Sequence, residues 1–392
     1  MSSSQYLRKT LLCLSIFCNA ISAGGVFTYP ILAPALISRL TQPQLSTIAL
    51  AGMAGQYPSG YIVGKVIDRY GSGVCSLAAA VAFSLGYGLS AWEIASIPQD
   101  ISHSNDASAR RLVVYFALLG LGTAFSYFSF LFAATKTFTN HMSFASGSTM
   151  AVFGLSPLFL STIASRFFTD LDGTLNIVPY LWCIALLSGV VHFVGAITLS
   201  NAGTSASHHN HSTSPDSEEC SPDETTSLLS NSPEARRNDD DGSVFVLLQD
   251  AFFWILCIYL VMTLGMCEMI FSNVGTMVLS LPSSTLRSTI TVENTASIQV
   301  KMLSIANTLS RLLVGPFADF LSPANEYPTQ SFRKHWISRI AFLSFAAIML
   351  SATCLWMLVY VQIQQDLWVL RFGVWLHIYS LAQYTLLHLG NV

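Results

Sequence analysis

Long apolar stretches, separated by short polar segments, dominate this chain. A helix needs about 20 mostly apolar residues to cross a bilayer, where lipid offers backbone amides no hydrogen-bond partner. The pattern therefore predicts an all-α polytopic membrane protein with ten spanning helices. Their approximate limits are residues 10–37, 46–63, 74–95, 112–136, 143–165, 177–199, 248–281, 296–320, 336–361 and 367–389.

The first stretch also has features of a cleaved signal peptide, because Arg8-Lys9 precede it and the small residues Ala20–Ala23 lie within it. However, the apolar run continues through Phe27 to Leu36 without a break. We therefore expect a retained first helix.

Residues 200–245 interrupt the apolar pattern with Ser, Thr, Asn, Asp and His, a composition typical of a disordered linker. Six predicted spans precede this linker and four follow it, which divides the chain into units 1–199 and 246–392. Within the linker, Glu224, Leu228 and Leu229 form an acidic-x-x-x-Leu-Leu pattern that resembles signals read by sorting adaptors. Sorting to a vacuolar membrane and a chance match in an acidic loop both remain open.

Composition excludes several classes of protein. Hydrophobic residues make up 52% of the chain and charged residues 10%, against roughly 25% charged residues in soluble domains. The net charge of −3 gives no reason to expect a nucleic-acid partner, and the eight cysteines are scattered without zinc or disulfide spacing. We find no catalytic motif and expect no enzyme activity, cofactor or metal site. The expected partners are the lipid bilayer and a small-molecule substrate.

Basic residues favour an N-terminus and a linker in the cytosol, because cytosolic segments carry an excess of Lys and Arg. In that orientation the cytosolic segments hold ten basic residues and the opposite segments hold six. The opposite six are Arg39, Arg110, Arg111, Arg166, Arg287 and Lys301.

One short pattern occurs twice, each time after the second span of a unit. Gly64 precedes Asp68-Arg69 after the second predicted span, and Gly315 precedes Asp319 after the eighth. Matched patterns in two halves are typical of duplicated transporters. We therefore expect Gly64, Asp68, Arg69, Gly315 and Asp319 to act as conformational latches.

Two charged residues lie deep within predicted spans. Arg311 stands two helical turns before Asp319, and a buried arginine is costly unless it faces a cavity or a partner. Arg311 shares a helix face with Asn307. We expect it either to bind an anion or act as a gate, or to form a structural ion pair. We expect Glu268 to be either a proton carrier or an inert partner of Arg311. Asn273 follows it on the same helix and is a further candidate for substrate binding or gating.

The first span has a polar, glycine-broken centre that contains Asn19, Gly24-Gly25 and Tyr29-Pro30. Such a centre fits a cavity-lining helix, although close helix packing through the glycines explains part of it equally well. Tyr127 in the fourth span is a weaker cavity candidate, for which core packing is the stronger alternative.

The duplicated Gly-x-x-x-Asp pattern resembles the loop signature of the major facilitator superfamily. More narrowly, Gln56-Tyr57-Pro58-Ser59-Gly60 and Ser304–Arg311 resemble the nodulin-like and monocarboxylate-transporter-related branch, and fungal vacuolar members of that branch resemble the chain best. This resemblance implies two pseudo-symmetric six-helix bundles that move about a central substrate site. It also implies a secondary transporter. The position of Arg311 adds the expectation that the small metabolite is anionic, and that of Glu268 adds the expectation of a coupling proton.

Two departures from the branch affect the substrate. Animal monocarboxylate transporters carry an aspartate at the position of Asn307, and an asparagine cannot titrate. They also carry a lysine at the position of Ile31, which follows Tyr29-Pro30. We therefore do not expect lactate-like proton symport through these positions. A membrane sensor or scaffold that keeps the fold is the alternative function, although a static scaffold needs no matched latches.

The carboxyl end holds fewer spans than two six-helix bundles require. After Leu370 only residues 371–392 remain, and they carry Arg371, His377 and His388 within one apolar stretch. We therefore expect that the last two helices are missing and that the chain diverges near Leu370 from a twelve-helix transporter. Such a truncated or frame-shifted product should insert poorly, leave an open cavity on one flank and transport weakly or not at all.

Overall fold

The computed structural model describes residues 3–97, 106–138, 142–170, 173–207, 248–282, 292–321, 339–363 and 366. The helices are α1 (Ser3–Ser22), a 3₁₀ segment (Gly24–Thr28), α2 (Tyr29–Leu36), α3 (Gln42–Gln56), α4 (Gly60–Ser96), α5 (Asp106–Thr137), α6 (Met142–Phe167), α7 (Ile177–Ser207), α8 (Ala251–Ser280), α9 (Val292–Leu321) and α10 (Arg339–Tyr360). We call α1–α7 the N-terminal half and α8–α10 the C-terminal half.

The predicted second and third spans form a hairpin that turns at Gly71. This glycine has φ 82° and ψ 177° in the middle of α4, a conformation that residues with a Cβ rarely adopt. Contacts along α5 show the reversal. Gln44 at the start of α3 donates to Asp106 at the start of α5. The carbonyl of Ser72 accepts from Ser129 near the far end of α5. Glu93, near the end of α4, then accepts from Arg111, again near the start of α5.

The first span is interrupted at residues 23–28, between α1 and α2. Side-chain hydroxyls from neighbouring helices bond the backbone groups that the interruption frees: Ser156 accepts from the Gly24 amide at 2.7 Å, and Thr123 donates to the carbonyl of Ala23 at 3.3 Å. Irregular backbone is tolerated inside a membrane only where protein groups satisfy it in this way. Polar side chains of α5 and α6 therefore satisfy the backbone at the interruption of the first span.

Glycines allow α3 and α5 to pack closely. A methyl group at Gly120 would overlap the carbonyl oxygen of Gly52, and one at Gly55 would overlap the carbonyl oxygen of Ala117. Helix association in membranes depends on such close approach, because lipid provides little hydrophobic drive. These small residues set the distance between the two helices.

The two halves meet along two seams. In one, α6 packs against α9, where Lys301 donates to Ser165 at 2.6 Å and Thr308 donates to the carbonyl of Ala151 at 3.3 Å. In the other, α2 and α3 pack against α8, and Gly275 approaches the backbone of Pro30. These contacts lie at the middle of the bundle and at the end that we expect to face away from the cytosol.

Nine of the ten predicted spans correspond to helices, and the tenth, 367–389, lies outside the described residues. Helix α7, which corresponds to the sixth predicted span, continues to Ser207, beyond the expected start of the linker at residue 200. In the described part of the chain, six helical stretches are long and apolar enough to cross a membrane. They are Tyr6–Leu36, Gln42–Ser96, Asp106–Thr137, Phe144–Phe167, Ile177–Ser200 and Ala251–Ser280.

Two basic residues of the expected non-cytosolic side have local structural partners. The guanidinium of Arg111 forms a two-bond ion pair with Glu93, with both N–O distances at 2.7 Å. Arg39 donates to the carbonyl of Ile94 at 2.5 Å, near the carboxyl end of α4. Both side chains are therefore used in contacts within the N-terminal half.

Candidate functional site

A small central cavity lies between the two halves, and each half contributes four of its lining residues. The cavity has a volume of about 20 Å³, which is room for about one water molecule. The 3₁₀ segment and α6 provide one wall, and α8 and α9 provide the other. The lining residues are Phe27, Phe153, Gly154, Pro157, Glu268, Phe271, Ser304 and Asn307.

Glu268 and Asn307, two residues singled out in the sequence, meet in this cavity. Their helices α8 and α9 pack against each other, and the side chain of Asn307 lies near Gly154 on α6. Beside them, the Ser304 hydroxyl is 1% exposed and has no hydrogen-bond partner among the described residues. The cavity therefore combines a carboxylate, an amide and a hydroxyl inside an aromatic wall.

Glu268 also forms a hydrogen bond between the two halves. It is only 6% exposed, and its Oε1 accepts from the hydroxyl of Tyr57 at 2.5 Å. Tyr57 is the residue that follows α3, where the chain bends before Gly60. The predicted pairing of Glu268 with Arg311 stays a prediction, because the side chain of Arg311 lies outside the described residues.

A larger groove lies on the flank of the molecule between α3 and α8, with a volume of about 560 Å³. Its walls are mostly apolar, and Glu268 lies at its base, so this carboxylate lines both the groove and the central cavity. Asn273 also faces the flank groove rather than the central cavity, and its amide donates to the carbonyl of Met269 at 2.9 Å. The groove is lined by Ser46, Leu50, Met53, Tyr57, Leu260, Val261, Leu264, Gly265, Glu268, Met269, Ser272 and Asn273.

Asn19 and Tyr29 do not line the central cavity. Asn19 donates to the carbonyl of Ser15 and accepts from Ser76, so both ends of its amide are used inside the N-terminal half. The Tyr29 hydroxyl donates to the carbonyl of Leu45 at 2.8 Å. Their polar atoms satisfy buried helix contacts, which argues against the expected substrate role.

Tyr127 packs in an aromatic cluster, with edge contacts to Phe128, Phe130 and Phe153. Since Phe153 also lines the central cavity, Tyr127 supports the cavity wall without lining it. This position agrees with the core-packing alternative.

The first copy of the repeated pattern lies at an exposed helix end. Asp68 and Arg69 are exposed, Arg69 lies over the ring of Tyr70, and a methyl group at Gly64 would meet no atom within 4 Å in the described structure. In the second copy, Gly315 and Asp319 lie on α9 with Arg311, but the side chains of these three residues are outside the described residues. The latch role therefore remains a prediction, as does the sorting role of residues 224–229, which also lie outside the described part.

Sequence reasoning overlooked His192, which is fully buried in the N-terminal half. Its Nδ1 lies 2.7 Å from the carbonyl oxygen of Ser188 and its Nε2 lies 2.6 Å from the hydroxyl of Ser126. Because a carbonyl only accepts, Nδ1 carries the proton, and the neutral ring accepts from Ser126. The signal was present, since an ionisable residue within a predicted span needs a partner.

The fold is that of a polytopic membrane protein of two packed helical halves with a small cavity between them. The family model of the Major Facilitator Superfamily matches residues 12–389, and the chain belongs to this superfamily. The match includes residues 371–389, the segment that we expected to depart from the family's pattern.

Within the superfamily, the chain is similar to several fungal proteins that share one name. The chain is 25% identical over 386 residues to "Probable transporter MCH1" of Gibberella zeae, covering 85% of this chain and 66% of that relative. Proteins of the same name from Wickerhamomyces anomalus and Saccharomyces cerevisiae are 25% and 24% identical, covering 80% and 78% of this chain. The chain spans 60–66% of the length of these three relatives.

Solved structures support the fold. The inward-open xylose transporter XylE from E. coli matches with a TM-score of 0.55, covering 94% of this chain and 80% of that one at 12% identity. A D-xylose-proton symporter structure matches with a TM-score of 0.54, covering 92% and 79% at 12% identity. At 12% identity these similarities establish the fold and give no information about the substrate of this chain.

Proposed function

We propose that this protein is a secondary transporter that moves a small anionic metabolite, with a coupling proton, across an internal membrane by alternating access. The observation that carries the proposal is the central cavity, to which each half contributes four lining residues. A site shared in this way changes its access when the halves rock about it. The superfamily membership and the relatives' names support transport as the activity.

The anionic class rests on Arg311. It lies on α9 one helical turn beyond Asn307, which lines the central cavity. A guanidinium binds a carboxylate or phosphate through two parallel hydrogen bonds, a geometry that an ammonium group cannot reproduce. We propose that Arg311 binds the anion and that Asn307 and Ser304 orient it.

Replacing Arg311 with lysine or alanine should lower uptake by at least about tenfold, because the two-bond geometry is lost, while membrane yield stays near normal. Uptake into vesicles would be measured with a panel of labelled mono- and dicarboxylates and phosphate, with xylose as a neutral comparison. Arg39→Lys is the matched control, since Arg39 bonds a helix end inside the N-terminal half.

Full anion uptake by both Arg311 variants would contradict the role of this residue, and uptake of xylose alone would contradict the anionic class. A wild-type protein that moves no solute in this panel would instead favour the sensor or scaffold alternative.

We further propose that residues 1–199 and 246–392 form the two transport units and that the cytosolic linker 200–245 directs the protein to the vacuolar membrane. The support is the acidic-x-x-x-Leu-Leu pattern of Glu224, Leu228 and Leu229, which a sorting adaptor would bind.

Replacing Leu228 and Leu229 with alanine should move a fluorescent fusion from the vacuolar membrane to the cell surface, because the adaptor loses its apolar contacts. Imaging in a fungal cell would follow the change, with Ser227→Ala and Ser230→Ala as flanking controls. An unchanged location for the dileucine variant would remove the sorting proposal.

A further inference from the structure

The hydrogen bond between Tyr57 and Glu268 crosses from one half to the other, at the point where the flank groove and the central cavity meet. We propose that Glu268 binds the coupling proton and that Tyr57 converts its protonation state into closure of the two halves. This inference rests on the transport function proposed above and assigns its proton site.

The geometry gives the bond a direction. The phenol donates and the carboxylate oxygen accepts, at 2.5 Å. A bond to an ionised acceptor is roughly twice as strong as a neutral one. When a proton binds the Glu268 carboxylate, the negative charge is neutralised while Tyr57 keeps its own proton, so the contact between the halves weakens. The ionised form therefore favours the closed contact and the protonated form favours its release.

The Glu268 carboxylate lines the central cavity. The cavity has room for about one water molecule. The hydroxyl of Ser304, which has no hydrogen-bond partner in the described part of the chain, and the amide of Asn307 line the same space. A water molecule there would have polar groups on several sides, as a buried water requires. Glu268 is thus buried from bulk solvent but next to a polar space.

Among the described residues, the titratable groups near Glu268 on the neighbouring helices are tyrosines, a lysine and thiols. Around α8, the residue that follows α3 is Tyr57. Helix α2 provides Tyr29, bonded to Leu45, and α9 provides Lys301, bonded to Ser165. The neighbouring thiols are Cys267 on α8 itself and Cys354 on α10, which packs against the same core. The side chain of Arg311 on α9 lies outside the described residues.

The test measures the distance between the halves in the full chain. Spin labels at Thr47→Cys and Ser280→Cys, both exposed positions on opposite halves, would be placed in a background without the native cysteines. Distances would be recorded in lipid nanodiscs between about pH 5 and about pH 8, the range in which folded proteins are generally most stable. Acidification should reduce the ratio of the closed to the separated population by roughly tenfold, since a charge-assisted bond becomes a neutral one.

Tyr57→Phe and Glu268→Gln should each abolish this pH response and hold the low-pH distance distribution at every pH. Tyr180→Phe and Glu93→Gln are the matched controls, because the hydroxyl of Tyr180 and the carboxylate of Glu93 bond partners inside the N-terminal half. Both controls should respond as the wild type does. If Glu268→Gln fails to fold, Tyr57→Phe carries the test, because it leaves the carboxylate in place.

A wild type without a pH response, or a response that persists in Tyr57→Phe, would overturn the proposal. The readout needs no substrate, so it separates two failures. A pH-dependent distance in a protein that transports nothing would contradict the proposed function and leave the switch intact. Uptake that depends on pH without this distance change would retain transport and overturn the switch.

Discussion

Replacing Gly120 with alanine should markedly lower the thermal stability of the protein and the amount that is recovered folded from the membrane. The added methyl group would overlap the carbonyl oxygen of Gly52, a backbone atom that cannot rotate away, so α3 and α5 would have to separate. Overpacking of this kind costs about 1–3 kcal/mol, and more where backbone must move. Since domains are stable by only about 5–15 kcal/mol, that cost is a large share of the total.

Size-exclusion profiles and thermal unfolding of the solubilised protein would measure this effect. Gly147→Ala is the matched control, because a methyl group at that helical glycine meets nothing within 4 Å in the described structure. The control should keep or slightly raise stability, since alanine favours helix over glycine. Equal profiles for both variants would show that the close approach of α3 and α5 is not required.

Replacing Gly275 with alanine should leave the fold intact but prevent the two halves from closing. A methyl group there would overlap the carbonyl oxygen of Pro30, which belongs to the other half. A clash of about 1–3 kcal/mol at this seam would shift the equilibrium toward separated halves by roughly 5- to 150-fold. Substrate uptake should fall with it, while membrane yield remains near that of the wild type.

The spin-label pair on α3 and α8 would report the shift directly, and uptake would report its cost. Gly265→Ala on the same helix is the control, because a methyl group there meets no described atom within 4 Å. A Gly275 variant that retains the short distance and full uptake would show that this seam does not close during transport.

The apolar pattern predicted much of the fold, because each span must bury its backbone polar groups within its own helix. Nine predicted spans match helices, and the glycine-broken first span is interrupted where its sequence indicates. The break at residues 57–59 and the extension of α7 to Ser207 were not predicted. Apolar content defines what can cross a membrane, but it does not show where a helix bends or continues into water.

The site was predicted only in part. Composition identified Glu268 and Asn307, because polar groups are costly inside a span. It could not pair Glu268 with Tyr57, since these residues are 211 positions apart and only the packing of α3 on α8 joins them. It also favoured Asn19 and Tyr29, which bond within the N-terminal half. A single sequence does not distinguish a polar residue that lines a cavity from one that completes a buried helix contact.

The interruption of the first span places the boundary between the halves inside one polypeptide segment. Helix α1 packs on α6 and α7 of its own half, whereas α2 packs chiefly on α8 and α9 of the other. Eight residues, Tyr29–Leu36, are therefore encoded with the first half but complete the packing surface of the second. If the gene were split within the linker, the carboxyl fragment alone would lack this piece, and the two fragments should recognise each other through it as complementing parts of one protein.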